Sequence, residues 1–287
     1  MALVNPMAMI TTARRQGHAV AAFNIHNMET MQGVVAAAAQ AGTPVILQGT
    51  PGTLRGCGVK TLVAMARAMA ADCPVDLALH ADHCSDYDLL IECIDEGFTS
   101  VMIDGAALPY EQNVDFVRKI TQKAHQAGAA AEGELGRIGG VEDTVAVDDK
   151  DAFLTDPGQA ADYVQQTCID TLAVAIGTAH GEYKGKPELD FPRLAAIRAV
   201  VSIPLVLHGA SGVPNEDVRQ CIQNGVCKVN IATELKLPFT ASLRKTLTEL
   251  PAENDPRKLF APAREAVFQV AMDKIRLCNS TTEGAFS

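Results

Sequence analysis

Short runs of apolar, often β-branched residues alternate along the chain with longer stretches of mixed apolar and polar character. The runs fall at residues 19–23, 44–48, 75–80, 100–104, 129–135, 171–176, 204–208 and 226–230 and predict eight strands. The stretches between them predict helices near 28–41, 60–71, 86–96, 111–126, 157–167, 191–201 and 214–224. Glycine or proline marks many of the junctions, as in Gly42-Thr43-Pro44, Gly97, Gly128, Ile203-Pro204 and Gly225. The strands read as near-continuous apolar runs, which suits a parallel sheet covered on both faces. Eight successive βα units of this kind predict a closed (β/α)8 TIM barrel in the α/β class. An open doubly wound sheet places a glycine fingerprint after its first strand. Here that position reads Phe23-Asn24-Ile25-His26-Asn27. From Glu234 onward the pattern predicts a helix, a loop over 251–256 and a last helix near 261–277. No linker interrupts it, so residues 1–287 are expected to form a single domain with a C-terminal helical extension.

Composition narrows the class. The 287 residues are 48% hydrophobic and 20% charged, enough apolar matter for a large core. A net charge of −10 argues against nucleic acid as a partner. It leaves phosphate binding open, because main-chain N–H groups at a helix N-terminus hold anions without basic side chains. No apolar run is long enough to span a bilayer, so no membrane partner is expected. The first residues lack the pattern of a secretory signal. The eight cysteines include no Cys-x-x-Cys pair and read as free thiols in a reducing cytoplasm. Cys84 lies beside the candidate site and is read as a bystander.

The residues with chemistry to offer gather at the C-terminal ends of the predicted strands: Asn24, Thr50, Asp82, His83, Asp104, Glu134, His180, His208 and Asn230. That end is the functional rim of such a barrel. His83, His180 and His208 each follow a different strand and have small neighbours. Three imidazoles converging from three strands suit a catalytic zinc ion with an open fourth position. Asp82 supplies a carboxylate that can move protons. His26 and His80 are read as hydrogen-bonded structural residues, and His18 and His125 as surface residues. The segment 136–156 contains Gly139-Gly140-Val141-Glu142-Asp143, breaks the repeat, and reads as a long loop acting as a mobile lid.

Seven stretches, in order along the chain, resemble the class II, metal-dependent fructose- and tagatose-bisphosphate aldolases, and most of all the tagatose branch. They are Ala22-Phe23-Asn24-Ile25-His26-Asn27, His80-Ala81-Asp82-His83, Ser100-Val101-Met102-Ile103-Asp104, Glu132-Gly133-Glu134-Leu135-Gly136, residues 172–181, residues 204–212 and Lys228-Val229-Asn230-Ile231-Ala232-Thr233-Glu234. The resemblance implies one catalytic Zn2+ on His83, His180 and His208, which stabilises the enediolate of dihydroxyacetone phosphate. A second divalent or a monovalent cation is compatible with it. Asp82 would exchange a proton with the hydroxyl at the aldol carbon, and Glu142 would take the carbon-bound proton. Asp104 and Glu134 would hold a second metal or orient the histidines. Gly181, Gly209, Ala210, Ser211, Asn230, Ile231, Ala232 and Thr233 would bind the substrate, chiefly its phosphate, with Lys184 adding charge. Thr50, and Arg257 from a neighbouring subunit, would meet the distal phosphate.

The implied reaction is reversible cleavage of D-tagatose 1,6-bisphosphate, a phosphorylated ketose, to dihydroxyacetone phosphate and glyceraldehyde 3-phosphate. Its C4 epimer, fructose 1,6-bisphosphate, and a related phosphorylated ketose are alternatives. A non-catalytic phosphosugar-binding subunit and a zinc hydrolase are readings from other classes. A homodimer or homotetramer is expected, with an accessory subunit as a further partner. The chain departs from the tagatose branch at Cys84-Ser85-Asp86, where relatives carry another histidine, and at Ala81, where they carry a bulkier residue.

Overall fold

The computed structural model describes residues 2–142, 145–147, 153–181, 183, 185 and 187–280, without the side chains of residues 141, 142 and 145–147. Its strands are β1 (Val20–Asn24), β2 (Val45–Gly49), β3 (Leu77–Cys84), β4 (Ser100–Ile103), β5 (Ala130–Leu135), β6 (Gly139–Glu142), β7 (Val145–Val147), β8 (Thr171–Val174), β9 (Ala179–His180), β10 (Leu205–Leu207) and β11 (Val226–Ile231). Its helices are α1 (Met7–Gln16), α2 (Met28–Ala41), α3 (Pro51–Cys57), α4 (Val59–Asp72), α5 (Tyr87–Glu96), α6 (Tyr110–Gln126), α7 (Pro157–Thr167), α8 (Phe191–Val200), α9 (Asn215–Gln223), α10 (Thr233–Glu249) and α11 (Pro256–Asn279). Eight strands close a parallel barrel in the order β1-β11-β10-β8-β5-β4-β3-β2, with helices between successive strands. This is the (β/α)8 barrel that the pattern predicts, with helices α10 and α11 at its C-terminal end.

Local chemistry sets the helix boundaries. Asn27 caps α2 and forms a reciprocal box with Thr30, while the Asp86, Asp156 and Asp190 carboxylates accept from the first-turn amides of α5, α7 and α8. Gly42 and Gly97 close α2 and α5 in the left-handed conformation.

Inside the barrel, alternate residues change character from one end to the other. At the N-terminal end Val20, Ala22, Ile46 and Ala78 form an apolar plug with Met9 and Ile10 of α1. Helix α1 has no counterpart among the predicted elements, and it seals the barrel floor. One pleat higher, Lys228 Nζ lies 2.9 Å and 3.1 Å from the Glu132 carboxylate oxygens and 3.4 Å from His80 Nε2. Thr171 Oγ1 donates to Glu132 at 3.0 Å, and His80 Nδ1 pairs with Ser100 Oγ at 2.8 Å. His80 is therefore structural, as read from the sequence. Burial opposes ionisation of Glu132, but the adjacent Lys228 ammonium, the His208 hydrogen bond and His80 hold its carboxyl well below the usual range.

Two other segments differ from expectation. Among the described residues of 136–156, β6 and β7 pair in antiparallel fashion, and β6 also pairs in parallel with β9. Gly140 makes this possible, because with φ +96° a Cβ there would collide with the His180 carbonyl oxygen. Strand β3 continues past its predicted end to include Asp82 and His83.

The Lys228–Glu132 pair carries a stability prediction. Lys228→Met strands a buried carboxylate and lowers unfolding stability by about 3–5 kcal/mol, and Glu132→Gln in the same chain recovers much of the loss. Urea denaturation at neutral pH measures both. A single variant as stable as the parent would contradict the arrangement.

Candidate active site

Consecutive residues of a regular strand face opposite sides of a sheet. At the end of β3 the pairing register shifts between Ala81 and Cys84, and His83 takes a left-handed φ of +47°. This kink lets Asp82 and His83 both serve the rim. His180 arrives on β9, and His208 directly follows β10. One ligand nitrogen from each of the three lies within 4.8 Å of the others. His83 Nε2 and His208 Nδ1 face each other at 2.6 Å. The opposite nitrogens are backed by carboxylates: His83 Nδ1 lies 3.3 Å from Asp104 and 3.9 Å from Glu134, and His208 Nε2 lies 2.8 Å from Glu132.

The residues present fit a zinc ion. Two nitrogens that share one zinc at about 2.0–2.1 Å are at most about 4.2 Å apart, so small ring movements complete the cradle. Carboxylates behind ligating imidazoles fix ring orientation and strengthen the ligand. Burial, reinforced by His83, pulls His208 below the ordinary imidazole pKa despite Glu132, which favours the neutral form that binds metal. Asp104 also remains acidic: burial works against its charge, but the His83 contact outweighs it.

Asp82 is fully buried and held by three amides. Asn24 Nδ2 donates to Oδ2 at 2.8 Å, Gln48 Nε2 to the same oxygen at 3.2 Å, and Asn230 Nδ2 to Oδ1 at 3.1 Å. Gln48 also donates to Asn24 Oδ1 at 2.6 Å. Asn230 Nδ2 lies 3.2 Å from His208 Nε2, so this amide spans the proton-transfer and metal-binding groups.

Next to the histidines opens a cleft of about 340 Å³, open space included, lined by His180, Gly181, Gly209, Ser211, Asn230, Ala232, Thr233 and Lys236. It faces the start of α10, where the helix dipole favours an anion. Gly209, at φ +63°, is required there, since a Cβ would sit 2.6 Å from the Ala179 carbonyl oxygen. Ser211 Oγ accepts from Ala232 N at 3.3 Å and ties this turn to the helix start. Of the expected substrate residues, Ala210 and Ile231 belong to the hydrophobic core and do not line the cavity.

Several contributors lacked a sequence signal. Gln48 lies inside a predicted strand, and Glu132 and Lys228 lie in stretches that carry the family resemblance, but the sequence pointed to no role for any of the three. Lys236 adds a cation to the cavity, and its place in the first turn of α10 was the available clue. The Tyr183 hydroxyl accepts from Ala179 N at 2.7 Å and donates to Gly209 O at 2.8 Å, joining the chain beside His180 to that beside His208. Glu142 has its backbone in β6, but its side chain lies outside the described residues, as does all of Lys184. Thr50 is buried at the start of α3. Arg257 is exposed and bound to Asp255. Cys84 is buried, donates to Asp86 O at 3.6 Å, and has a thiol pushed up to about 11 by burial.

Residues 4–283 match the family model described as class-II fructose-bisphosphate aldolase. Among solved structures, the chain is 32% identical to the YdjI aldolase from Escherichia coli K12, covering 97% of this chain and 98% of that one with a TM-score of 0.85. A putative fructose-1,6-bisphosphate aldolase from Coccidioides immitis is 27% identical, with 98% of each chain covered and a TM-score of 0.88. The fold is shared with a fructose-bisphosphate aldolase from Campylobacter jejuni at 22% identity and a TM-score of 0.82, over 97% of this chain and 96% of that one. The chain belongs to the class II fructose-bisphosphate aldolase family.

Proposed function

We propose that this aldolase reversibly cleaves D-tagatose 1,6-bisphosphate to dihydroxyacetone phosphate and glyceraldehyde 3-phosphate. The observation that carries the reading is the joint occurrence of three histidines, a caged carboxylate and an anion cavity that shares His180 and Asn230 with them. The C1 phosphate would occupy the cavity, held by main-chain donors around Gly209, Ser211 and Ala232 and by Lys236. Zinc on His83, His180 and His208 would supply Lewis-acid polarisation of the C2 ketone. Asp82 would take the proton of the C4 hydroxyl as the C3–C4 bond breaks and the C4 aldehyde forms. The electron pair of that bond moves toward the C2 carbonyl, and Glu142 would deliver a proton to C3. In the aldol direction both transfers reverse. Asp104 and Glu134 would orient His83.

The tagatose preference rests on the sequence stretches described above. Fructose 1,6-bisphosphate is a second reading, favoured by the activity in the name of the Coccidioides neighbour. The two sugars differ only at C4, where Asp82 would act. We further propose one domain over the whole chain, a homodimer or homotetramer, and a cytoplasmic location.

Three outcomes are expected. Protein stripped by a chelator releases no triose phosphate from either sugar, and zinc restores release; zinc-loaded protein inactive on both sugars would overturn the reading. Asp82→Asn lowers kcat by about 10²–10⁴-fold in steady-state assays and leaves zinc affinity near that of the parent. Asp104→Asn weakens zinc binding by about 10–100-fold in competition with a chromophoric chelator, through loss of the partner of His83 Nδ1.

A further inference from the structure

A second cavity lies at the opposite end of the barrel, between the end of α1, the ends of α8 and α9, and the first residues of β10 and β11. Its volume is about 300 Å³, at the lower end of the usual range for small-molecule pockets. Its walls carry Arg14, His18 and Arg198, and no carboxylate lines it among the described residues. The floor is apolar and buried, formed by Val201, Leu205, Ile222 and Val226.

Both guanidinium groups are positioned by main-chain carbonyls. Arg14 donates to Ser202 O, and Arg198 Nη1 donates to Gln223 O at 2.9 Å. The stem of Arg198 closes over Gly225, whose missing side chain leaves room for it. A guanidinium has five N–H donors, so most donors on each remain to be used. Neither arginine has a carboxylate partner among the described residues, a state they share with Arg15, Arg67, Arg137, Arg244 and Arg264; Arg14 and Arg198 differ in lining one cavity together. Burial keeps the His18 imidazole below its ordinary pKa, so near neutral pH it offers one donor and one acceptor.

We propose that this cavity is a second ligand site, for a small organic anion that joins a phosphate or carboxylate group to an apolar body. The charged group would bridge Arg14 and Arg198, the arrangement in which arginine binds such oxyanions best. The apolar body would cover Val201, Leu205, Ile222 and Val226. The site is independent of the sugar chemistry at the other rim.

Equilibrium dialysis of the full chain with phenyl phosphate tests this, with inorganic phosphate as the probe lacking an apolar body. The parent protein should bind one more phenyl phosphate per chain than Arg14→Met/Arg198→Met. Gln223→Glu, an exposed change that sets a carboxylate against the guanidinium groups, should weaken that event by about tenfold or more. Both variants should keep the parent's unfolding midpoint. Equal stoichiometry and affinity in the parent and both variants would overturn the site. Equal affinity for inorganic and phenyl phosphate would overturn the proposed ligand class.

Discussion

At the centre of the barrel the Glu132 carboxylate accepts from Lys228, Thr171 and the His208 ring. An isolated carboxyl in that interior would neutralise or destabilise the fold. With Lys228 beside it, Glu132 stays ionised and can orient His208, so that His208 Nδ1 points at His83 Nε2. Packing and site geometry therefore meet in one residue. The layering of the interior follows the same logic: an apolar floor under α1, an ion pair above it, and at the rim the polar groups that face the candidate site.

The fold was readable because its evidence is local. Each βα unit carries its own apolar run, and helices α2, α5, α7 and α8 carry their own side-chain caps. The rim residues were readable because chemically capable side chains recurred at the ends of those runs. His83, His180 and His208 do converge, although the kink that presents His83 depends on a single backbone conformation that no composition signals.

What stayed hidden depends on contacts distant in sequence. Lys228 and Glu132 are separated by 96 positions. Each stands in a strand covered on both faces, where period-two contrast is weak. Strand β6 pairs with β9, a segment about forty residues downstream, at a point where only glycine fits. Helix α1 is recognisable only as a plug, once the barrel floor that it seals exists. Tyr183 works through main-chain atoms, and its side chain gives no sign in the sequence of where its hydroxyl will reach.

The most direct measurement is anomalous diffraction at the zinc edge, from crystals grown with zinc and dihydroxyacetone phosphate. A single strong peak among the His83, His180 and His208 rings, with the phosphate in the cavity bounded by Gly209 and Lys236, is the expected result. A zinc peak away from those rings, or a phosphate bound outside that cavity, would contradict the account of this rim as one catalytic unit.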